Sequence, residues 1–108
     1  MGDGLGEFEQ LVLLALVRLG DEAYGVTVHE QLERRAGRDV ALGAVYKTLA
    51  RLEAKRLVAA RLGEPTAERG GRRKRHYKVT TQGQRALARS LATLKRMTAG
   101  LHISVEPA

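Results

Sequence analysis

Apolar residues recur at helical spacing near the start of the chain, where Phe8, Leu11, Val12, Ala15, Leu16 and Leu19 share one face of a helix predicted over Glu7 to Leu19. Leu13, Leu14 and Val17 make the opposite side apolar too. A helix that is apolar all round must be covered on both sides, by its own domain and by a second subunit. Gly20 to Glu22 reads as a turn, with Asp21 placed to cap a second helix over Tyr24 to Ala36 that Gly37 stops. Tyr24, Val28, Leu32 and Ala36 form its buried stripe. A third helix is predicted over Leu42 to Lys55, with Leu42, Val45, Leu49 and Leu52 toward the core. Its other face carries Gly43, Ala44, Lys47, Thr48, Arg51 and Lys55, the small and basic residues of a helix that approaches a phosphate backbone closely.

The period then changes. Leu57 to Leu62 and His76 to Val79 read as strands, separated by a stretch with Gly63, Pro65, Gly70 and Gly71 that can continue neither helix nor strand. They predict a hairpin with a long loop. Thr81 and Gln84 fit the T-x-x-Q box that opens a last helix, along which Leu87, Leu91, Leu94 and Leu101 make a seam opposite a basic face of Arg85, Arg89, Lys95 and Arg96. So small a domain has no need of so long an apolar stripe. Together with Leu13, Leu14 and Val17, the seam predicts a homodimer interface, and the tail from Ser104 to Ala108 is expected to fray.

The order of elements predicts a mainly α protein with a small β-hairpin. Residues 1–80 would form a winged helix-turn-helix and residues 81–108 a C-terminal dimerisation helix and tail, in one folding unit of 108 residues. The net charge of +7 calls for a polyanionic partner without choosing among DNA, RNA and an anionic membrane surface. Its placement narrows the choice. Arg69, Arg72, Arg73, Lys74, Arg75 and Lys78 concentrate in the hairpin, interleaved with Gly70 and Gly71, where glycine admits close backbone approach and guanidinium forks match phosphate oxygens. His76 joins them at the strand start, and Tyr46 sits at the edge between core and groove, able to lend its hydroxyl to a phosphate. A winged helix that binds RNA or protein is the alternative, with few aromatic platforms to support the RNA version.

Other classes fall away. Without cysteine there is neither a disulfide framework nor a thiolate zinc site, and the reducing cytoplasm is the expected compartment. His29, His76 and His102 lie far apart with no ligand spacing, so no metal or other cofactor is expected. The two serines, Ser90 and Ser104, have no recognisable His and acid around them, and no Gly-rich phosphate loop is present, which predicts a non-enzyme. The longest apolar run, Leu11 to Val17, is too short to span a bilayer and follows acidic residues, so no membrane association is expected.

Gly43-Ala44-Val45-Tyr46-Lys47-Thr48-Leu49-Ala50-Arg51-Leu52-Glu53 spells G-x-x-Y-x-x-L-x-R-L-E. With Leu13-Leu14-Ala15-Leu16, Tyr24-Gly25, Leu57-Val58, Gly71-Arg72, Arg75-His76-Tyr77, Val79-Thr80 and Gly83, it resembles the PadR family of transcriptional regulators, in the short form with a single C-terminal dimerisation helix. The likeness runs from Phe8 to Leu94. It implies a dimeric winged-helix repressor on double-stranded DNA, with Gly43, Ala44, Tyr46, Lys47, Thr48 and Arg51 on the recognition helix and the basic hairpin as wing. Any small-molecule effector would be confined to the dimer interface between the first and last helices. Two departures from the family pattern matter. Ala41 stands where a hydroxylic cap is usual, which leaves Asp39 to cap the recognition helix, and Arg56 replaces a glycine at a position that would be left-handed. Glu53 is expected to hold Arg51 in an ion pair, leaving Lys47 and Thr48 as the base-contacting residues.

Overall fold

The chain folds around its first helix, α1 (Glu7–Leu19), in a computed structural model that describes residues 4–64 and 73–103. Val12 and Leu13 of α1 are fully buried, and Ala15 and Leu16 nearly so, because α2 (Gly25–Ala36), α3 (Leu42–Ala54), β2 (Arg75–Val79) and α4 (Thr81–Thr98) all pack against it. Val28 and Leu32 of α2, and Val45, Leu49 and Leu52 of α3, complete the helical core. Leu42 lies at its edge and is exposed. β1 (Val58–Leu62) pairs antiparallel with β2 from Val58↔Val79 to Leu62↔Arg75, so Val58, Tyr77 and Val79 close the core from below the hairpin.

A buried carboxylate ties α1 to the end of α3. Glu9 accepts hydrogen bonds from the Gly6 N–H at 3.0 Å and from Lys55 Nζ at 2.9 Å. Burial by itself pushes the Glu9 pKa up, but the Lys55 hydrogen bond and charge, the Gly6 N–H and the nearby Arg51 charge outweigh it and hold the carboxyl below its ordinary value. A depressed folded pKa contributes stability above the unfolded value, about 4.3, and loses it as the pH falls through the lower folded one. Lys55→Met is therefore expected to cost about 1 kcal/mol at neutral pH, since Lys55 is partly solvated, and to lose less than wild type on acidification below about pH 4.3. Thermal melts across that range measure it; parallel curves for the two proteins would remove the pair from the acid response.

The local signals that end and begin each helix differ from expectation at three caps. Gly20–Glu22 forms a 3-10 turn, so Asp21 is not the cap of α2; Tyr24 occupies that position, and Thr27 Oγ1 accepts from the Tyr24 N–H at 3.0 Å and donates to the Glu22 carbonyl at 2.6 Å. For α4 the cap is Thr80, one residue before the expected Thr81: its hydroxyl accepts from the Gly83 N–H at 3.0 Å and donates to the Arg56 carbonyl at 2.8 Å. At α3 no side chain replaces the missing hydroxyl. Ala41 is the cap residue, Asp39 makes no cap bond, and the Ala44 and Val45 N–H groups turn back to the Ala41 carbonyl. Arg56 does adopt φ 63°, left-handed for a non-glycine residue, with the Leu57 N–H closing on the Leu52 carbonyl at 3.0 Å.

Two residues expected at a subunit interface are core residues. Leu13 is fully buried within this chain, because the helices and strand around α1 cover an arc wider than one ideal stripe. Leu87 is buried with Gly83 and Ala86 in the first turns of α4. Leu14 is half-buried, whereas Val17, Leu91, Leu94 and Leu101 are exposed, as are Met97 and Ile103. Every residue from Leu91 to Ile103 is exposed, so the second half of α4 stands clear of the other described elements, and Leu101, expected on this helix, lies beyond its end at Thr98.

Candidate nucleic-acid interface

One face of α3 is open along its length. Gly43, Ala44, Tyr46, Lys47, Ala50 and Arg51 are exposed, while Val45, Leu49 and Leu52 fill the core. Thr48 does not belong to the open face. It is 4% exposed, three residues after Val45 and four before Leu52, on the side that helical geometry turns inward. Ala50, which the polar pattern did not single out, takes the place beside Lys47. Small residues and two cations thus make up a surface without an acid, and an added Cβ at Gly43 would meet nothing within 4 Å.

Tyr46 bridges this face to α2. A Cβ on Gly25 would fall 2.2 Å from the Tyr46 ring and from its hydroxyl oxygen, so the phenol lies directly against the Gly25 backbone and keeps the hydroxyl at the start of α2. Gly25 is the residue that makes this approach possible. The adjacent Tyr24-Gly25 pair is visible in the sequence, but its partner in α3 lies 21 residues from Gly25 and only the fold brings them together.

The hairpin base is fastened on two sides. His76 forms an isolated antiparallel bridge with Tyr24, the Tyr77 N–H donates to the Ala23 carbonyl at 2.9 Å, and His76 Nδ1 donates to the Asp21 carbonyl at 3.0 Å. The imidazole packs edge-on to the Tyr24 ring at 5.5 Å between centroids, which turns it inward and away from the phosphate role expected of it. Lys74 Nζ lies 4.3 Å from the centroid of the same tyrosine ring and donates to its hydroxyl at 3.1 Å. On the other side, Arg75 Nη2 donates to both carboxylate oxygens of Glu53, at 3.0 and 3.2 Å, and the guanidinium lies 5.9 Å from the centre of the Tyr77 ring. The Glu53 carboxylate raises the Arg75 pKa above its ordinary value. The expected partner of Glu53 was Arg51, but residues two apart on a helix point in different directions. Arg73 is exposed at the end of the described hairpin; Arg69 and Arg72 lie outside the described residues.

Beside the hairpin, a cleft of about 330 Å³ opens between α1, the strands and the start of α4, with Leu16, Val17, Tyr77 and Val79 as apolar lining and Arg61 and Lys78 among its polar residues. Among the described residues no helix is long and apolar enough to cross a membrane.

Three helices, a two-stranded wing and an open, cationic third helix define a winged helix-turn-helix of the kind found in DNA-binding transcriptional regulators. The sequence profile of the "Transcriptional regulator PadR-like family" matches residues 13–89, and the chain belongs to that family. The chain is similar to a PadR family transcription regulator from Clostridium difficile, with 26% identity, a TM-score of 0.67, and coverage of 86% of this chain and 95% of that one. A PadR family transcriptional regulator from Eggerthella lenta is 26% identical with a TM-score of 0.65, covering 88% of this chain and 82% of its own. A PadR-like regulator from Bacillus cereus, at 20% identity and a TM-score of 0.68, covers 84% of each chain and shares the fold. No match is found among the curated proteins.

Proposed function

We propose that the protein is a repressor that binds a pseudo-palindromic DNA operator as a homodimer. The observation that carries the reading is the open face of α3, which bears only small, aromatic and basic residues beside a wing fastened to the same helix. In this arrangement Gly43 and Ala44 let the helix approach, Lys47 reaches base edges or adjacent phosphates, and Arg51 lies further along the groove. Arg73 and Lys74, with Arg69 and Arg72 of the wing, engage flanking phosphates and supply affinity without discrimination. Thr48 has no part in the contact. Residues 1–80 serve DNA binding and residues 81–108 serve pairing.

Pairing rests on α4. Its second half has no packing partner among the described residues, and so short a helix is marginal alone in water. Leu91, Leu94, Met97 and Leu101 with Val17 form the apolar surface that a second copy covers. Two-fold pairing would put the two recognition helices about 34 Å apart on successive major grooves. The cleft beside α1 and α4 adjoins that interface and is the room available to a small-molecule effector. Repression follows from occupancy where the operator overlaps a promoter, in a protein expected to work in the cytoplasm.

Competition binding tests the reading. A labelled duplex that the protein itself enriches from a randomised DNA library is expected to be displaced far better by itself than by random duplex DNA or duplex RNA. Leu94→Asp puts a charge into the pairing surface, where its burial costs several kcal/mol, so a folded monomer with lost operator affinity is expected by sedimentation and anisotropy. Equal displacement by RNA, or an unchanged dimer in Leu94→Asp, would each defeat the corresponding half of the proposal.

A further inference from the structure

We infer that Arg75 is a positioning residue and not a phosphate contact: with Glu53 it sets the wing at a fixed angle to the recognition helix, and through that angle it governs sequence discrimination. The inference rests on the DNA-binding reading above. Arg75 stands in the most basic stretch of the chain, where its charge alone would assign it to the nucleic acid. Its geometry assigns it elsewhere. The guanidinium donates to both oxygens of a carboxylate carried on the last turn of α3, and it lies over the ring of Tyr77, a residue of the same strand whose side chain is buried in the core. A charge matched in this way releases few counterions when DNA binds, because a carboxylate already occupies the place a phosphate would take.

The position of the pair gives it leverage. Glu53 is on the recognition helix and Arg75 begins the strand that emerges from the wing, so the contact spans the two elements that must meet DNA together. The opposite side of the same strand is fixed to the α1–α2 turn by the His76 bond to Asp21 and the Tyr77 bond to Ala23. Those bonds hold the hairpin to the body of the domain; on the α3 side β1 packs against the helix, and the Glu53–Arg75 contact adds the side-chain tie that joins β2 to α3. A wing free to tilt still meets phosphates on any duplex, whereas base contacts by α3 require one register of wing and helix together.

Glu53→Gln, Arg75→Gln and the double variant decide the matter, measured on the duplex enriched from the library and on random duplex across a salt series. Both single variants are expected to lower the ratio of enriched to random affinity about threefold to tenfold, and the double variant no further, because either change breaks the same contact. The salt slope of Arg75→Gln is expected to match wild type. Exchange of the two charges, Glu53→Arg with Arg75→Glu, is expected to restore much of the ratio, and circular dichroism separates loss of register from loss of fold. A direct phosphate contact gives the opposite pattern: Arg75→Gln flattens the slope by about one unit per subunit, Glu53→Gln tightens both duplexes alike, and the ratio holds. Any of those three results overturns the inference. A library from which wild type enriches no sequence overturns the DNA-binding reading beneath it.

Discussion

Gly83→Ala is expected to lower the melting temperature by about 10–20 °C. Gly83 lies in the first turn of α4, where its N–H is held by the Thr80 hydroxyl. A Cβ there would fall 2.0 Å from the Leu57 carbonyl oxygen and 2.8 Å from a Val79 methyl. The carbonyl cannot retreat freely, because it accepts the Thr80 N–H at 3.0 Å, and Leu57 is itself fixed by the turn that closes α3 at left-handed Arg56. Backbone must therefore move against backbone, a strain of about 3 kcal/mol. Thermal unfolding followed by circular dichroism reads it directly. A variant melting within a few degrees of wild type would mean that α4 is not seated on the β1 entry as described.

The same glycine illustrates what the sequence makes legible. Its place in the family-like pattern after Val79-Thr80 is visible, but its reason is a contact with a carbonyl 26 residues earlier. Element order and periodicity are local properties, and they delivered the first three helices, the hairpin and the start of α4 to within a residue or two. Two differences from expectation are also local. Thr48 is polar like Lys47, but its spacing from Val45 and Leu52 puts it on their buried face. Glu53 and Arg51 stand two apart on the helix and diverge, which leaves Glu53 to Arg75.

Other residues could not have been placed without the fold. α1 is apolar on all sides, so periodicity alone cannot decide where the domain's own covering stops; Leu13 falls inside that boundary, with Val17 outside it. In the sequence the seam runs from Leu87 to Leu101, but α4 ends at Thr98 and leaves Leu101 beyond it, and the core ends after Leu87, because only the first turns meet α1 and β2. The wing arginines look alike in sequence. Arg75 is set apart by a carboxylate 22 residues away in α3, a relation that no charge count contains.

Gly43→Glu is expected to abolish binding to the enriched duplex while leaving the protein folded, and slightly more stable. The two effects have opposite signs for separate physical reasons. An added side chain at Gly43 meets open space, and replacing a helical glycine removes a propensity cost of up to about 1 kcal/mol. Gly43 is the second residue of α3, so an acid there also favours the positive end of the helix dipole by about 0.3–1 kcal/mol. On DNA the same carboxylate would occupy the face proposed to close on the groove, where like charge costs several kcal/mol and the loss of affinity exceeds about a hundredfold. Gly43→Gln separates bulk from charge, since it keeps the size and drops the repulsion, and should retain part of the affinity. Gly43→Ala, the smallest change, should melt no lower than wild type and bind measurably less only if the backbone of α3 comes within a methyl group of the DNA. Anisotropy on enriched and random duplexes, paired with thermal melts, gives both signs from one set of samples. If Gly43→Glu bound the enriched duplex as wild type does, the DNA-contacting surface would have to lie off the open face of α3, on the wing or on the basic side of α4.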